Sequence, residues 1–435
     1  MEQKATILMI VMLVIGLGIG GGVGYYSAPR KPGEVVEVPV EVNPLEGKTI
    51  QVGEIQSTTE GLETLTPFHE EEVVPDINDF LDKLGYDVTY ETLIDDAASM
   101  AAIHLEKVQS FNAMGVNLIV GGRWSSQAEA ALSYVNENNM LLFSPSSTSP
   151  LLAFPDDNLF RMCPTDFVQA PAIAEMLWSW GIEACLVIQR GDSWADGIYN
   201  IWTTEYANRG GVELGKIRYA AEVVEFSSYM DTANNIITEA IDEYGAEKVG
   251  ILLIAFWEGA ALVTQAADYP ALMDIYWFAT DGTTFETRHL DDAPKVSAHI
   301  KLFGTLAAPG YSPKYYALSD RYKASTGRDM DFYTAADYDI NWVIVNAVLE
   351  TGSVDALDVM PTIPTISNNM FGASGWTKLN ECDDRDIINY DIWGIDYVDG
   401  EPAFVNYGVY SGSSGSVTWY TSLVTPGSHA PEWVP

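Results

Sequence analysis

The residues best placed to do chemistry lie just past a short apolar run. Met140 to Phe143 reads as a buried strand, and it leads into Ser146, Ser147 and Thr148, fenced by Pro145 and Pro150. Hydroxyls and backbone N–H groups at the carboxyl end of such a strand can converge on an anion such as a carboxylate. The same residues also fit an ordinary Ser/Thr turn. Catalytic constellations are not evident. His69, His104, His289, His299 and His429 stand apart with no H-E-x-x-H spacing, and no G-x-S-x-G elbow is present. Glu381, Asp383, Asp384 and Asp386 form an acidic cluster, but without the spacing or glycine of an EF-hand, so a solvated turn is the expectation. Gly16 to Gly21 formally matches G-x-G-x-x-G, yet no strand precedes it. No enzyme activity, catalytic residue, metal or cofactor is expected.

Composition narrows the partners. The chain has 61 acidic and 22 basic residues, a formal net charge of −39. That charge argues against nucleic acid and anionic membrane surfaces, and it points to a saline or acid-adapted environment. A hydrophobic fraction of 47% with 12 Trp supports a packed core. Some 390 residues follow the first 45 or so, more than one core usually holds, so two lobes are expected. Cys163, Cys185 and Cys382 allow at most one disulfide. Whether Cys163 reaches Cys382 is left open at this point.

The elements that must position these residues follow in chain order. Ala5 to Pro29 carries no charge and is long enough to span a hydrocarbon core of about 30 Å, so residues 1–29 read as a membrane anchor or a signal peptide, with the uncleaved anchor favoured. Residues 30–47 alternate Val with Glu and Pro and read as a stalk. From Lys48, short β-rich runs alternate with helix-length segments. Strands are expected at Ile50 to Ile55, Asp87 to Ile94, Asn117 to Gly121, Met140 to Phe143, Ala184 to Gln189, Ile217 to Ala221, Val249 to Ile254 and Ile275 to Ala279. Helices are expected around Ala97 to Met114 and Ser228 to Tyr244. This βαβ succession predicts parallel sheets covered by helices on both faces.

Several stretches, in order, resemble a known family. They are IQVGEIQS (Ile50 to Ser57), LIVGGRWSS (Leu118 to Ser126), SPSSTSPLL with NLFRMCPTDFVQ (Ser144 to Gln169), IQRGDSWADG (Ile188 to Gly197), FATDG (Phe278 to Gly282), YTAADYDINWVI (Tyr333 to Ile344) and FGASGWTKLNECDDRD (Phe371 to Asp386). Together they resemble the type I periplasmic solute-binding proteins of the Leu/Ile/Val (branched-chain amino acid) group of ABC transporters, over roughly Lys48 to Phe404. The resemblance implies an α/β fold of two doubly wound parallel-sheet lobes joined by a three-crossover hinge, preceded here by the N-terminal membrane helix. Lobe 1 would comprise 48–165 and 306–375, lobe 2 would comprise 166–305 and 385–404, and 405–435 would be a loop-like C-terminal tail.

The resemblance also implies a site. Ser125, Ser147 and Thr148 match the first-lobe groups that hold a ligand carboxylate, and Asp281 matches the acidic residue that pairs with its ammonium. Trp194 falls where relatives carry a stacking Tyr, and Phe256 or Trp257 at another aromatic position. Trp124 stands where some relatives have a cysteine, so their disulfide is absent. Glu60, in the loop Ser57 to Leu62, is either cleft-facing or solvated. The implied function is extracytoplasmic capture of an amino acid, branched-chain or otherwise apolar, by hinge closure, with delivery to ABC permease and ATPase subunits at the membrane. A urea- or amide-binding protein and a ligand-sensing receptor domain are the alternatives.

Overall fold

The computed structural model describes residues 43–386 and 388–434, so the expected membrane segment and most of the stalk lie outside the described residues. Among those described, no helix is long and apolar enough to cross a membrane. Thirteen strands form two sheets. The first is built from β1 (Lys48–Gln56), β2 (Val88–Asp96), β3 (Leu118–Val120), β4 (Leu141–Ser144) and β5 (Leu159–Arg161). Its order is β2-β1-β3-β4-β5, and every neighbour is parallel.

Alternation along these strands sorts side chains to two buried faces. Ile50, Val52, Leu118, Val120, Leu141 and Phe143 share one core, while Ile55, Ile119 and Leu142 share the other. The second face is covered by α3 (Ala101–Ala113) and α4 (Ser125–Glu137), through Val108, Phe111, Ala128 and Ala131. The first is covered by a helical run of α1 (Leu62–Phe68), a π-helical turn (His69–Val73) and α2 (Val74–Leu84), and by two helices from far along the chain. Those two are introduced below. Leu45 is buried in the same core, so the folded region starts within the stretch read as stalk.

After β5 the chain enters α5 (Asp166–Trp180) and builds the second sheet. β6 (Ala184–Arg190), α6 (Ser193–Arg209), β7 (Val212–Tyr219), α7 (Ser227–Tyr244), β8 (Val249–Ile254), α8 (Gly259–Ala266), β9 (Trp277–Ala279) and β10 (Phe303–Ala307) follow. The chain then returns to the first sheet as α9 (Pro313–Thr326) and α10 (Phe332–Thr351), and crosses back to place β11 (Tyr390–Val398) beside β10. The chain thus passes between the lobes three times.

The second sheet departs from the expected all-parallel form. Its order is β13-β12-β11-β10-β9-β8-β6-β7, and β11, β12 (Glu401–Ser411) and β13 (Ser416–Trp419) pair antiparallel. Asn406 to Ser411, read from sequence as tail, lies inside β12. Tyr407 and Trp419 pack on Trp180 and Phe303 in the second-lobe core, and this aromatic burial is what ties the segment down. The Gly and Ser residues of SGSSGS make only the turn between β12 and β13.

Candidate ligand-binding site

A cavity of about 320 Å³ opens between the lobes, at the carboxyl ends of the strands. β1 delivers Gln56 to Thr58, the turn after β3 delivers Arg123 to Ser125, and the loop after β4 delivers Ser146. From the second lobe come Trp194 at the start of α6, Phe256 and Trp257 after β8, and Asp281 after β9. Tyr333 and Thr334 close it from the first turn of α10. Parallel strands make this crevice unavoidable, because the loops that leave their carboxyl ends must diverge to the helices on either face.

Of the expected residues, Ser125, Trp194, Phe256 and Asp281 line the cavity, whereas Ser147 and Thr148 do not. Both are buried behind it. The Ser147 hydroxyl donates to Ser125 Oγ at 3.3 Å, and the Ser149 N–H donates to the same oxygen at 3.1 Å. Ser125 therefore has both acceptor positions filled and its own proton available to the cavity. It also begins α4, so the N-terminal end of that helix meets the cavity at Trp124 and Ser125. Ser147 thus orients the serine that lines the cavity, and Ser146 takes the lining position.

Asp281 accepts hydrogen bonds from Gln169 Nε2 at 2.9 Å and from the Tyr333 hydroxyl at 2.5 Å. Gln169 comes from α5 and Tyr333 from the opposite lobe, so this carboxylate ties hinge, first lobe and second lobe together. Burial raises its pKa against the pull of those two donors. Asp166 behind it is raised well above its ordinary value by burial and by Asp281, against the Thr148 hydroxyl and Arg161. No cation is hydrogen-bonded to Asp281 among the described residues.

The aromatic wall crosses the cleft. Phe256 stacks on Trp194 with centroids 4.3 Å apart and on Trp124 of the first lobe at 4.9 Å. The Arg190 guanidinium lies 4.4 Å from the centre of the same Phe256 ring. Arg190 is itself held by Glu258 at 2.6 Å and Asp192 at 2.5 Å.

Beneath the first-lobe side of the cleft sits a fully buried charged cluster. Arg123 Nη2 lies 2.7 Å from Asp337 and 3.1 Å from Glu54. His69 Nε2 lies 3.6 Å from Asp337 and 3.7 Å from Glu54. Asn341 donates to Glu54 at 3.1 Å and to Asp337 at 3.2 Å, and it accepts from the Tyr90 hydroxyl. Burial opposes charge on His69, but Glu54 and Asp337 outweigh it and raise its pKa. Burial and Asp337 push Glu54 up to about 7. Burial also pushes Asp337 up, yet Arg123 and His69 outweigh it and hold it near 2. Donor atoms of Glu54, His69 and Asp337 fall within 4.8 Å of one another, a spacing a metal ion accepts. The guanidinium of Arg123 already fills that electrostatic role, so with His69 protonated the cluster is neutral.

The acidic turn near Asp384 is not a solvated one. Asp384 is 1% exposed and pairs with Arg161, while Arg161 and Arg385 exchange backbone hydrogen bonds with the segment and with β5. All three cysteines are free, with Cys163 and Cys185 buried. Glu60 lines a larger adjoining chamber and reaches Arg288 at 3.4 Å.

Arg123, Trp124, Gln169 and Tyr333 were not singled out as site residues from sequence. All four lie within the stretches that carry the resemblance. The cluster carried a signal of its own: Glu54 is the one acidic residue on the Ile50, Val52 face of β1, and Asp337 and Asn341 stand one turn apart among the buried apolar residues of α10.

A family model described as the receptor family ligand binding region matches residues 73–397. The chain belongs to that family, and its fold is the type I periplasmic-binding fold; the family is one of ligand-binding regions, not of enzymes. An uncharacterized protein of Methanocaldococcus jannaschii is 27% identical over 362 residues, covering 79% of this chain and 84% of the relative. Among solved structures, the leucine binding protein LivK of Thermotoga maritima superposes with a TM-score of 0.69 at 19% identity, covering 84% of this chain and 99% of its own. A solute binding protein of R. palustris in complex with 4-hydroxybenzoate gives 0.68 at 15% identity, covering 88% and 98%. The branched-chain amino acid binding protein LivJ of Streptococcus pneumoniae, in complex with isoleucine, gives 0.64 at 17%, covering 82% and 99%.

Proposed function

We propose that this chain is the extracytoplasmic solute-binding protein of an ABC importer and captures an amino acid between its lobes by hinge closure. The observation that carries this reading is the pairing of opposite chemistries across one small cavity. Ser125, at the N-terminus of α4, offers a free hydroxyl proton and helix N–H groups to a carboxylate. Asp281 offers a buried carboxylate to an ammonium. Trp194 and Phe256 wall the space between, as a ligand's apolar part requires. Leucine, isoleucine and 4-hydroxybenzoate, which occupy or name the similar structures, share a carboxylate that this first-lobe arrangement suits.

Closure follows from the same geometry. A ligand that bridges Ser125 and Asp281 gains contacts only when the lobes are together, and it shifts the population toward the closed form. Permease and ATPase subunits would read that form. Attachment to the membrane through residues 1–29 belongs to this proposal.

The test is calorimetric titration of the full-length chain with amino acids, short amides, urea and hydroxybenzoate. Zwitterionic amino acids are expected to bind, and Asp281→Asn to weaken them at least about tenfold by removing a charged hydrogen-bonding partner. Affinity unchanged in Asp281→Asn would remove the ammonium role. Binding of urea or amides alone would keep the fold and replace the amino-acid reading.

A further inference from the structure

The cleft carries more uncompensated negative charge than one ammonium calls for. Besides Asp281, the carboxylates of Glu286 and Asp331 line the cavity, and both also line an adjoining chamber of about 780 Å³. The two spaces share Thr58, Trp257 and Thr334 as well, so they form one continuous cleft. These are not surface carboxylates of the kind a charge of −39 scatters everywhere. Both are half-buried in the cavity wall, and burial raises the pKa of each, Glu286 against the Arg288 N–H and charge and Asp331 against its bonds from Thr334 and the charge of Arg123.

Three guanidinium groups line these spaces, Arg288 and Arg328 in the chamber and Arg123 in the cavity; Arg288 draws on Glu286 and Arg123 on Asp331 through their charge, but none forms a salt bridge to either carboxylate among the described residues. Arg123 is hydrogen-bonded to Glu54 and Asp337. Arg288 reaches Glu60 at 3.4 Å and lies 4.6 Å from the centre of the Trp257 ring. That last contact is itself informative: the aromatic face at the junction of the two spaces already takes a guanidinium. Phe256 deeper in the cleft does the same with Arg190, at 4.4 Å. Aromatic faces next to desolvated carboxylates are the chemistry that selects organic cations.

The distribution along the cleft fixes what kind of cation. Asp281 stands opposite Ser125 in the small cavity, where the α-ammonium and α-carboxylate of an amino acid would sit. Glu286, Asp331 and Trp257 stand where that cavity widens, in the direction a long side chain would extend. We propose that the solute is an α-amino acid whose side chain ends in an ammonium or guanidinium group, recognised at its far end by the carboxylates of Glu286 and Asp331. This inference rests on the amino-acid reading of the cleft and narrows it away from the apolar side chains that the sequence resemblance implies. The wide chamber supports the narrowing, since a compact aliphatic side chain would leave it unfilled.

The experiment is calorimetry on the full-length chain with L-arginine, L-lysine, L-leucine and L-citrulline, the last being a neutral near-isostere of arginine. Arginine or lysine is expected to bind at least about tenfold more tightly than leucine and citrulline, as one desolvated charge-assisted contact provides. Glu286→Gln should narrow the arginine-to-citrulline affinity ratio by about tenfold. Raising the salt concentration should weaken arginine more than leucine. Leucine or citrulline binding as tightly as arginine overturns this inference while leaving the amino-acid reading in place. Absence of binding by all four overturns both.

Discussion

Two groups of buried charge lie on either side of the same first-lobe loops, and they are resolved in opposite ways. Under β1 and α10, Glu54 and Asp337 are matched by Arg123 and His69, and the remaining acceptors are met by Asn341. In the cleft, Asp281, Glu286 and Asp331 have hydroxyl, amide and backbone donors, and among the described residues no cation forms a salt bridge to them. The first group has its countercharges in place when the chain folds, although burial and Asp337 still push Glu54 up to about 7. The second is left open, and a cation from outside completes it. A buried carboxylate is costly wherever it occurs, and on the proposed reading a ligand's cation offsets that cost in the cleft on binding.

The largest effect that would sharpen this comparison comes from Arg123. Arg123→Met leaves two buried carboxylates facing one imidazole and should destabilise the empty protein by about 3–5 kcal/mol, read from urea unfolding. Asp281→Asn, in the cavity wall, should leave the empty protein as stable or slightly more so, because it removes a charge with no salt-bridge partner among the described residues. Comparable losses in both variants would erase the distinction between the two regions.

A smaller effect is expected from pH. Glu54 titrates near 7 in the folded protein against an ordinary 4.5, so the folded state holds its proton longer and stability falls as pH rises across that window. The pKa of His69 is raised above 6.5, so its contribution is complete below that value and is lost as pH rises through the folded one. Asp337 acts in the opposite sense, contributing above 3.8 and losing that contribution as pH falls toward 2. Between about pH 5 and pH 8 the first two dominate, and unfolding free energy should drop by about 1–3 kcal/mol. His69→Gln should flatten this slope relative to wild type, which separates the cluster from general repulsion among surface carboxylates. An identical slope in the variant would locate the pH dependence elsewhere.

The smallest effect concerns the contact between lobes. Trp124→Ala removes the ring that stacks on Phe256 from the other side of the cleft. Loss of about 0.5–1.5 kcal/mol of stacking should shift the ligand-free protein toward an open form, seen as a larger radius of gyration in solution scattering. An unchanged radius would mean that the Asp281–Tyr333 bridge alone keeps the lobes together.

Parts of both sheets were legible because their strands are buried on both faces and read as apolar runs between helices of regular length. Ile50 to Ile55 and Val249 to Ile254 stand out for that reason. β5, by contrast, ends in Arg161 and β10 is interrupted by Gly304 and Thr305, so neither reads as an apolar run, and β11 to β13 alternate weakly, with Gly, Asp and Asn among the buried Tyr and Ile. Asp281 was legible from its place after an aromatic strand, but its partners Gln169 and Tyr333 were not, since no local pattern connects residues on three separate elements. Ser147 shows the opposite failure. Its position beside the serines of the loop was right, yet local sequence cannot tell a hydroxyl that faces the cavity from one that stands behind it.

The three passages between the lobes also dictate an order of events when the chain is made. The five strands of the first sheet are complete by Arg161, but α10, which covers one of their faces through Phe332, Ile340 and Ile344, is synthesised only after most of the second lobe. The second sheet in turn waits for β11, whose Trp393 registers with Gly304 on β10. Neither lobe can finish alone, so contacts distant in sequence dominate and folding should be slow. A nascent or truncated chain that stops short of Tyr390 would present β10 as a bare apolar edge, open to pairing with another copy.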